Sequence, residues 1–234
     1  MREVKEMEDL LTLQNVGKAY GRTVILQDVN FKVRPGRIIG IVGDNGMGKT
    51  TLMKLMAGLL LPDKGQIIHQ SKDYSYILCG EHFYPWMRVK DGFAFYRDYY
   101  DDFDSEKAGQ LLGQSGIDSR KRIHCLSSGQ QERFGLILGL SRRCSLYLMD
   151  ESFGGIDPFF KRDTKRFLLE NMEEGSSLVM ATHLLKDLET LFDEVLFVTD
   201  KTVRQMETEE IRSAYGKSVE QYYMEDLAHG QNMG

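Results

Sequence analysis

The stretch GDNGMGKT at positions 43–50 constrains what this chain can fold into more than any other part of the sequence. An apolar run, Ile38–Val42, precedes it, and a run compatible with a helix, 51–57, follows it. A Gly, four residues and then Gly-Lys-Thr, placed between a strand and a helix, are typical of a phosphate-binding loop. The alternative, a glycine turn that merely precedes a helix, leaves the matching flanks unexplained. We therefore expect this loop to bind nucleotide phosphates.

The chemistry of such a loop is local. Glycines allow successive backbone N–H groups to point into one concavity, and the start of the next helix adds its positive dipole end. Lys49 can reach the terminal phosphates, and the Thr50 hydroxyl is the expected ligand of a Mg²⁺ ion that bridges two phosphate groups. The residues expected to bind the nucleotide here are Gly43, Asp44, Asn45, Gly46, Met47, Gly48, Lys49, Thr50 and Thr51.

Composition restricts the class of protein. The chain has 234 residues, a net charge of −5 and no apolar run near the ~20 residues that a membrane-spanning helix needs. The charged N-terminus lacks the apolar segment of a signal peptide, and the three cysteines, Cys79, Cys125 and Cys144, have no metal-like spacing. We expect reduced thiols and a cytoplasmic protein. The acidic balance disfavours nucleic acid as a partner, although residues 120–122 form a basic patch.

The order of the elements predicts an α/β fold with a mostly parallel sheet. Strands are expected at 11–20, 23–33, 38–42, 66–69, 74–78, 145–150, 177–182 and 194–199. Helices are expected at 51–57, 89–100, 105–115, 128–142, 158–173 and 184–191. The first two strands are predicted to form an antiparallel hairpin. We interpret the chain as a single domain, 1–234, with a helical insert at about 79–142 and a polar tail at about 203–234 that carries one further helix.

A second motif lies where the helix at 128–142 is expected to begin. The sequence LSSGQ at 126–130 resembles Leu-Ser-Gly-Gly-Gln, the signature motif of the ATP-binding cassette, or ABC, family. Ser128 and Gln131 have the spacing of a helix capping box, and Gly129 lets a phosphate approach the start of the helix. The alternative is a capped helix without a ligand. The position between a helical insert and a strand that ends in acids favours the signature motif.

Acidic residues end the strand expected at 145–150. Asp150-Glu151 resembles the Walker B motif of the same family, and the carboxyl edge of a parallel sheet is where ligands bind. The resemblance implies that Asp150 holds Mg²⁺ and that Glu151 polarises the water that attacks the γ-phosphate. The alternative is a solvated acidic pair at a strand end.

Three further residues match the family's motifs in the expected order. The resemblance implies that Asp157 belongs to the D-loop, that His183 touches the γ-phosphate and its attacking water, and that Tyr20 stacks on adenine. The alternatives are a structural histidine, the usual role of a lone His, and an ordinary hairpin tyrosine.

The chain departs from the family after the strand expected at 74–78. Family members usually carry a Gln there, whereas this chain has Cys79, and Glu81 or His82 could supply an oxygen or nitrogen in its place. That loop normally contributes to Mg²⁺ binding and senses the membrane partner. A milder departure is Ser152, where Pro is common.

The resemblance implies the ABC ATPase fold, which has a P-loop core, an N-terminal antiparallel β subdomain and an inserted helical subdomain. It also implies that the protein works as a pair of cassettes. Two cassettes, identical or paralogous, are expected to pack head to tail. Each ATP then lies between Lys49 of one subunit and three signature residues of the other, namely Ser127, Gly129 and Gln130. ATP and Mg²⁺ are the implied cofactors. Separate transmembrane permease subunits are the implied partners, and they would hold the chain at the inner face of the membrane.

The stretch 84–100 is similar to the ATPase subunits of bacterial multidrug, antibiotic-peptide or lantibiotic-type exporters. Under that hypothesis, a helix of the permease docks on four residues of this region, namely Phe83, Tyr84, Trp86 and Met87. The alternative is that these four residues form the core of the helical insert. A second hypothesis is a soluble single-cassette ABC ATPase that remodels or assembles a protein complex. A P-loop kinase or GTPase would leave the signature motif unexplained.

Overall fold

The computed structural model describes residues 8–70, 73–78, 83–84, 86–150, 158–181 and 185–228. The strands are β1 Leu11–Tyr20, β2 Thr23–Val33, β3 Ile38–Val42, β4 Lys64–His69, β5 Tyr74–Leu78, β6 Leu146–Asp150, β7 Ser177–Ala181, β8 Glu194–Thr199 and β9 Thr202–Glu207. The α-helices are α1 Lys49–Met56, α2 Val89–Tyr99, α3 Ser105–Ser115, α4 Ser128–Leu140, α5 Pro158–Asn171, α6 Leu185–Leu188, α7 Thr208–Tyr215 and α8 Val219–Tyr222. A π-helix, Tyr223–Ala228, follows α8.

The main sheet has the strand order β5-β6-β7-β3-β8-β9. Its first five strands are parallel, and β9 runs antiparallel to β8. The residues of β7 are buried throughout, and β6 and β8 are buried except at their last residue, as expected for a sheet that is covered on both faces. Because β3, β6 and β7 are parallel neighbours, their carboxyl ends meet at one edge. The predicted α/β class with a mostly parallel sheet is confirmed.

A second, antiparallel sheet has the order β2-β1-β4. The β1–β2 hairpin follows the sequence prediction, and β4 adds a third strand along β1. The two strands approach so closely at Gly65, where φ is +74°, that a Cβ would lie 2.3 Å from the carbonyl oxygen of Asn15. Only glycine fits there. The pairing of β4 depends on this contact between distant residues, which no local pattern reveals.

The helices α2, α3 and α4 form a separate layer with its own small core. Met87, Val89, Ile123, Phe134 and Leu138 are all buried in it. No strand is assigned between α2 and α4 within the described part of that segment, in line with a helical insert. Across the described ranges, no helix is both long and apolar enough to cross a membrane.

Beyond Thr202 the structure differs from the polar tail with one helix that the sequence predicts. There β9 extends the main sheet, and α7, α8 and the π-helix follow it. Met206, Ile211, Val219 and Tyr222 are buried in a core cluster that they share with β6, β7 and β8. The expectation of a single helix is wrong, because these apolar residues come from different elements and never form a recognisable apolar run.

Candidate nucleotide-binding site

The loop between β3 and α1 is shaped by its glycines. Gly46 and Gly48 have φ angles of +84° and +103°, and Gly48 is the N-cap of α1. A Cβ on Gly48 would lie 2.9 Å from Cγ2 of Ile25, and a Cβ on Gly43 would lie 2.6 Å from the Val198 carbonyl oxygen. Side chains are therefore excluded from both positions, and the first N–H groups of α1 are free of intrahelical partners at the same place. This arrangement suits an anion.

Lys49 is folded back onto this loop. Its Nζ donates hydrogen bonds to the carbonyl oxygens of Gly43, at 2.6 Å, and Asp44, at 3.0 Å. Burial lowers the pKa of Lys49, and the nearby carboxylates of Asp44 and Asp150 act in the opposite direction. Phosphate oxygens are stronger acceptors than carbonyl oxygens, so the ammonium group can exchange these bonds for a bound phosphate.

Asp150 ends β6 beside the start of α1. Its Oδ1 lies 3.5 Å from Oγ1 of Thr50, and its Oδ2 accepts a hydrogen bond from the hydroxyl of Tyr76 at 3.1 Å. Burial, followed by the charge of Asp150, raises the pKa of Tyr76, so this hydroxyl keeps its proton and acts as the donor. A hydroxyl and a carboxylate that face each other are the hard oxygen ligands that Mg²⁺ takes alongside phosphate oxygens and water.

These groups share one cavity of about 240 Å³. It is lined by Ile25, Asn45, Gly46, Gly48, Lys49, Thr50, Thr51, Asp150 and Ala181. Seven of these residues belong to the predicted site, whereas Ile25 and Ala181 are not among the predicted site residues. Both are apolar wall residues from β2 and β7, and their place depends on how the two sheets pack.

The start of α4 differs by one residue from the predicted capping box. Ser127 is the N-cap, its Oγ accepts a hydrogen bond from the Gln130 N–H at 3.3 Å, and Oε1 of Gln130 accepts one from the Ser127 N–H at 3.2 Å. The predicted pair Ser128 and Gln131 is wrong. Gln131 is buried and its Nε2 donates to the carbonyl oxygen of Leu126 at 3.2 Å, because the helix turns that side chain inward.

Other predicted positions lie away from the cavity or outside the described residues. Tyr20 is 52% exposed at the end of β1, with the Lys18 ammonium 6.0 Å from its ring centroid, and it does not line the cavity. Gly129 is the second residue of α4 and does not line the cavity. The residues outside the described ranges are Cys79, Glu81, His82, Glu151, Ser152, Asp157 and His183.

The C-terminal segment reaches the phosphate-binding loop. Tyr223 lies beside Asp44, and burial, followed by the charge of this carboxylate, raises the pKa of Tyr223. The ring of Tyr223 stacks on Phe197 of β8 at 6.1 Å between centroids. No motif in the sequence signals this contact, since Tyr223 lies far from the loop along the chain.

A family model described as ABC transporter matches residues 26–154, which include the phosphate-binding loop, the signature and Asp150. The manganese transport system ATP-binding protein MntB of Bacillus subtilis is 31% identical over 80% of this chain and 82% of its own length. The chain belongs to the ABC transporter family. ABC transporter ATP-binding domains are ATPases that bind nucleotide, and this chain is therefore an ATPase.

Other ABC relatives differ in what they transport. The ABC transporter ATP-binding protein YtrB of Bacillus subtilis is 26% identical over 89% of this chain and 75% of its own length. The lantibiotic transport ATP-binding protein SrtF of Streptococcus pyogenes is 27% identical over 81% of this chain and 86% of its own length. A solved ATP-binding subunit of an ABC transporter has a TM-score of 0.82 over 92% of this chain and 98% of its own, at 21% identity. The fold is therefore the ABC ATPase fold.

This ABC ATPase has a second, larger cavity of about 800 Å³ between α2, β4 and β5, here called the aromatic groove. Its aromatic lining consists of Tyr74, Tyr76, Phe83, Tyr84, Phe95, Tyr96, Tyr99 and Tyr100. Phe83, Tyr84, Trp86 and Met87, for which the sequence leaves docking or core packing open, differ in their exposure. Tyr84 and Trp86 are each 67% exposed and stack on each other at 5.7 Å, whereas Met87 is buried and Phe83 packs on Phe134 in the helical core.

Proposed function

We propose that this chain is the ATP-hydrolysing subunit of an ABC exporter and that it powers transport through separate transmembrane subunits. The observation that supports this chemistry is the shared cavity of Lys49, Thr50 and Asp150 at the carboxyl edge of the main sheet. Mg²⁺, when bound, would neutralise the developing phosphate charge. The Thr50 hydroxyl and the Asp150 carboxylate would hold this ion, and the loop N–H groups from Gly43 to Lys49 would orient the phosphates.

The proposed catalytic residues are Glu151 and His183. Glu151 directly follows Asp150, and its carboxylate accepts the proton of the attacking water. In the sequence, His183 comes two residues after β7, and the last residues of β6 and β7, Asp150 and Ala181, pair in the sheet. An imidazole there orients the water and the γ-phosphate.

The proposed active unit is a head-to-tail dimer. The backbone of Gly129 and the side chains of Ser127 and Gln130, at the exposed N-terminus of α4, complete the nucleotide site of a second cassette. Asp157 contacts that cassette through the D-loop, and Tyr20 stacks on adenine, for which its exposed ring is accessible. ATP joins the two cassettes and hydrolysis releases them.

The proposed occupant of the aromatic groove is a short cytoplasmic helix of the permease. Tyr84 lines a cavity large enough for a few side chains of such a helix, and the exposed Trp86 stacks on Tyr84. This partner would hold the chain at the inner face of the membrane. Export is proposed from the similarity of 84–100 to exporter subunits. The relatives include a lantibiotic transport protein, SrtF, and an L-cystine import protein, TcyC of Bacillus subtilis.

The first experiment compares wild type with Glu151→Gln in ATP and Mg²⁺. The variant is expected to hydrolyse ATP at least 100-fold more slowly, because the water loses its base, and to accumulate as an ATP-dependent dimer by size-exclusion chromatography. Glu170→Gln, at an exposed position on α5, is the matched control and should behave as wild type. A Glu151→Gln variant that stays monomeric and hydrolyses ATP at the wild-type rate would contradict the proposed site.

A second experiment tests the membrane partner and the direction. Tagged Glu151→Gln, trapped with ATP, is purified from detergent-solubilised membranes of its own host, and a polytopic membrane protein is expected to accompany it. Recovery with a soluble protein complex alone would favour the assembly ATPase instead. A host strain carrying the variant should also become more sensitive to lantibiotic-type peptides, and unchanged sensitivity would argue against export of that class.

A further inference from the structure

Tyr76 belongs to two sites at once. Its ring lines the aromatic groove, and its hydroxyl donates to Oδ2 of Asp150 at 3.1 Å. The sheet register explains this reach, because Tyr76 pairs with Leu148 and its side chain extends along the same face to Asp150. One side chain therefore spans the distance from the groove to the proposed Mg²⁺ ligand.

The hydrogen bond also orients the carboxylate. With Oδ2 held by Tyr76, Oδ1 is turned toward Thr50, whose Oγ1 lies 3.5 Å away. A carboxylate that is held by one oxygen presents the other in a defined direction, as a metal site needs from its supporting hydrogen bonds. A displacement of the Tyr76 ring by material in the groove would move this oxygen as well.

We propose that Tyr76 is a positioning residue that orients Asp150 for Mg²⁺ and connects occupancy of the aromatic groove to the metal site. The inference rests on the proposed role of Asp150 as a Mg²⁺ ligand. It assigns the connection to a residue of β5, ahead of the loop at Cys79 where other family members carry Gln.

The neighbouring Tyr74 offers a matched control. It lies on the same strand and lines the same groove, yet its hydroxyl donates to the Ala57 carbonyl oxygen at 2.9 Å rather than to Asp150. Tyr74→Phe and Tyr76→Phe each remove one hydroxyl and one hydrogen bond while the ring stays in the groove. The two variants differ in whether the lost bond reaches the metal ligand.

The first test measures the ATPase rate at saturating ATP as the Mg²⁺ concentration is varied. Tyr76→Phe is expected to raise the Mg²⁺ concentration for half-maximal rate about five- to tenfold, since a hydrogen bond to a charged group is lost. Excess Mg²⁺ should restore most of the maximal rate. Binding of a fluorescent ATP analogue in EDTA should be unchanged, because no metal is involved, and Tyr74→Phe should match wild type in both measurements.

Two results would overturn the assignment. One is a Mg²⁺ dependence of Tyr76→Phe that matches wild type, and the other is an equal shift in both variants, which would reflect general loosening of β5. The metal site itself is tested separately by wild type: an ATPase rate that needs no divalent cation would refute the role of Asp150, whereas a Mg²⁺-dependent wild type with an unshifted Tyr76→Phe refutes this inference alone.

The second test follows the connection from the metal site to the groove. Trp86 is the single tryptophan of the sequence and stacks on Tyr84, a groove residue, so its fluorescence reports on the groove rim. Coupling between two sites is reciprocal, so Mg²⁺ added to the ATP-bound protein should change Trp86 emission in wild type and in Tyr74→Phe. The change should be lost in Tyr76→Phe. No change in wild type, or an undiminished change in Tyr76→Phe, would refute the connection.

Discussion

Glu132 shows how the position of one residue sets its chemistry. It lies in α4, is 3% exposed, and its Oε2 has no hydrogen-bond partner among the residues that the structure describes. Burial raises the pKa of Glu132 to about 7. A folded chain that binds this proton more tightly than the unfolded chain is stabilised below the ordinary carboxyl pKa, and the stabilisation is lost as pH rises through about 7.

Glu132→Gln should remove this pH dependence. We expect the free energy of unfolding of the variant, relative to wild type, to rise between pH 5 and pH 8 by roughly 1–3 kcal/mol, since a buried charge is avoided at the higher pH. Urea unfolding at a series of pH values measures the difference. Parallel stability curves for the two proteins would show that the carboxylate is accommodated without cost.

At the scale of elements, two helices begin with the same device. Ser127 and Gln130 cap α4, and Ser218 and Gln221 cap α8 with the same reciprocal hydrogen bonds. In each box the serine hydroxyl oxygen accepts a hydrogen bond from the backbone N–H of the glutamine three residues later. This bond satisfies a donor that the helix leaves unpaired. The two boxes differ in their surroundings, because only the box of α4 lies within the sequence that resembles the signature motif.

Ser127→Ala and Ser218→Ala therefore separate capping from function. Each should lower the free energy of unfolding by about 1 kcal/mol, the usual cost of losing an N-cap side chain. Only Ser127→Ala should also reduce ATPase activity, since that hydroxyl is proposed to meet the nucleotide of the second cassette. Equal activity in the two variants would mean that Ser127 acts as a cap alone.

At the scale of the whole molecule, the C-terminal segment is part of the core. Tyr222 is 2% exposed, and its ring lies 5.6 Å from Phe197 and 4.7 Å from Tyr215 between centroids. Phe197 belongs to β8, which pairs with the strand before the phosphate-binding loop. The segment therefore supports the strand that presents the nucleotide site.

Tyr222→Ala should cost about 3 kcal/mol of unfolding free energy, because it leaves a cavity beside β8. Tyr215→Ala removes a ring that is 41% exposed and should cost less than half as much. Thermal or urea denaturation of both variants measures this. A Tyr222→Ala variant as stable as Tyr215→Ala would place the segment outside the cooperative core.

Much of the fold could be predicted from the sequence. The hairpin, the strand β3, the helices α2 and α3 and the strand β8 agree with their predicted ranges within a residue. The cavity contains the predicted Lys49 and Thr50, because a glycine loop between a strand and a helix defines its own geometry over a few residues. It also contains Asp150, which was predicted from its place at the carboxyl end of a parallel strand. Hydrophobic periodicity and loop chemistry involve residues that are close together along the chain, and they can therefore be recognised in the sequence.

The features of the fold and of the site that the sequence did not predict depend on contacts between residues far apart in sequence. The pairing of β4 with β1, the hydrogen bond from Tyr76 to Asp150, and the contact of Tyr223 with Asp44 each join distant segments. The capping serine, Ser127 rather than Ser128, was likewise decided by which face of α4 packs inward. The sequence by itself determined the motifs, the α/β class and the family. The tertiary structure alone decided which side chains meet, because burial and register are set by the packing of the whole chain.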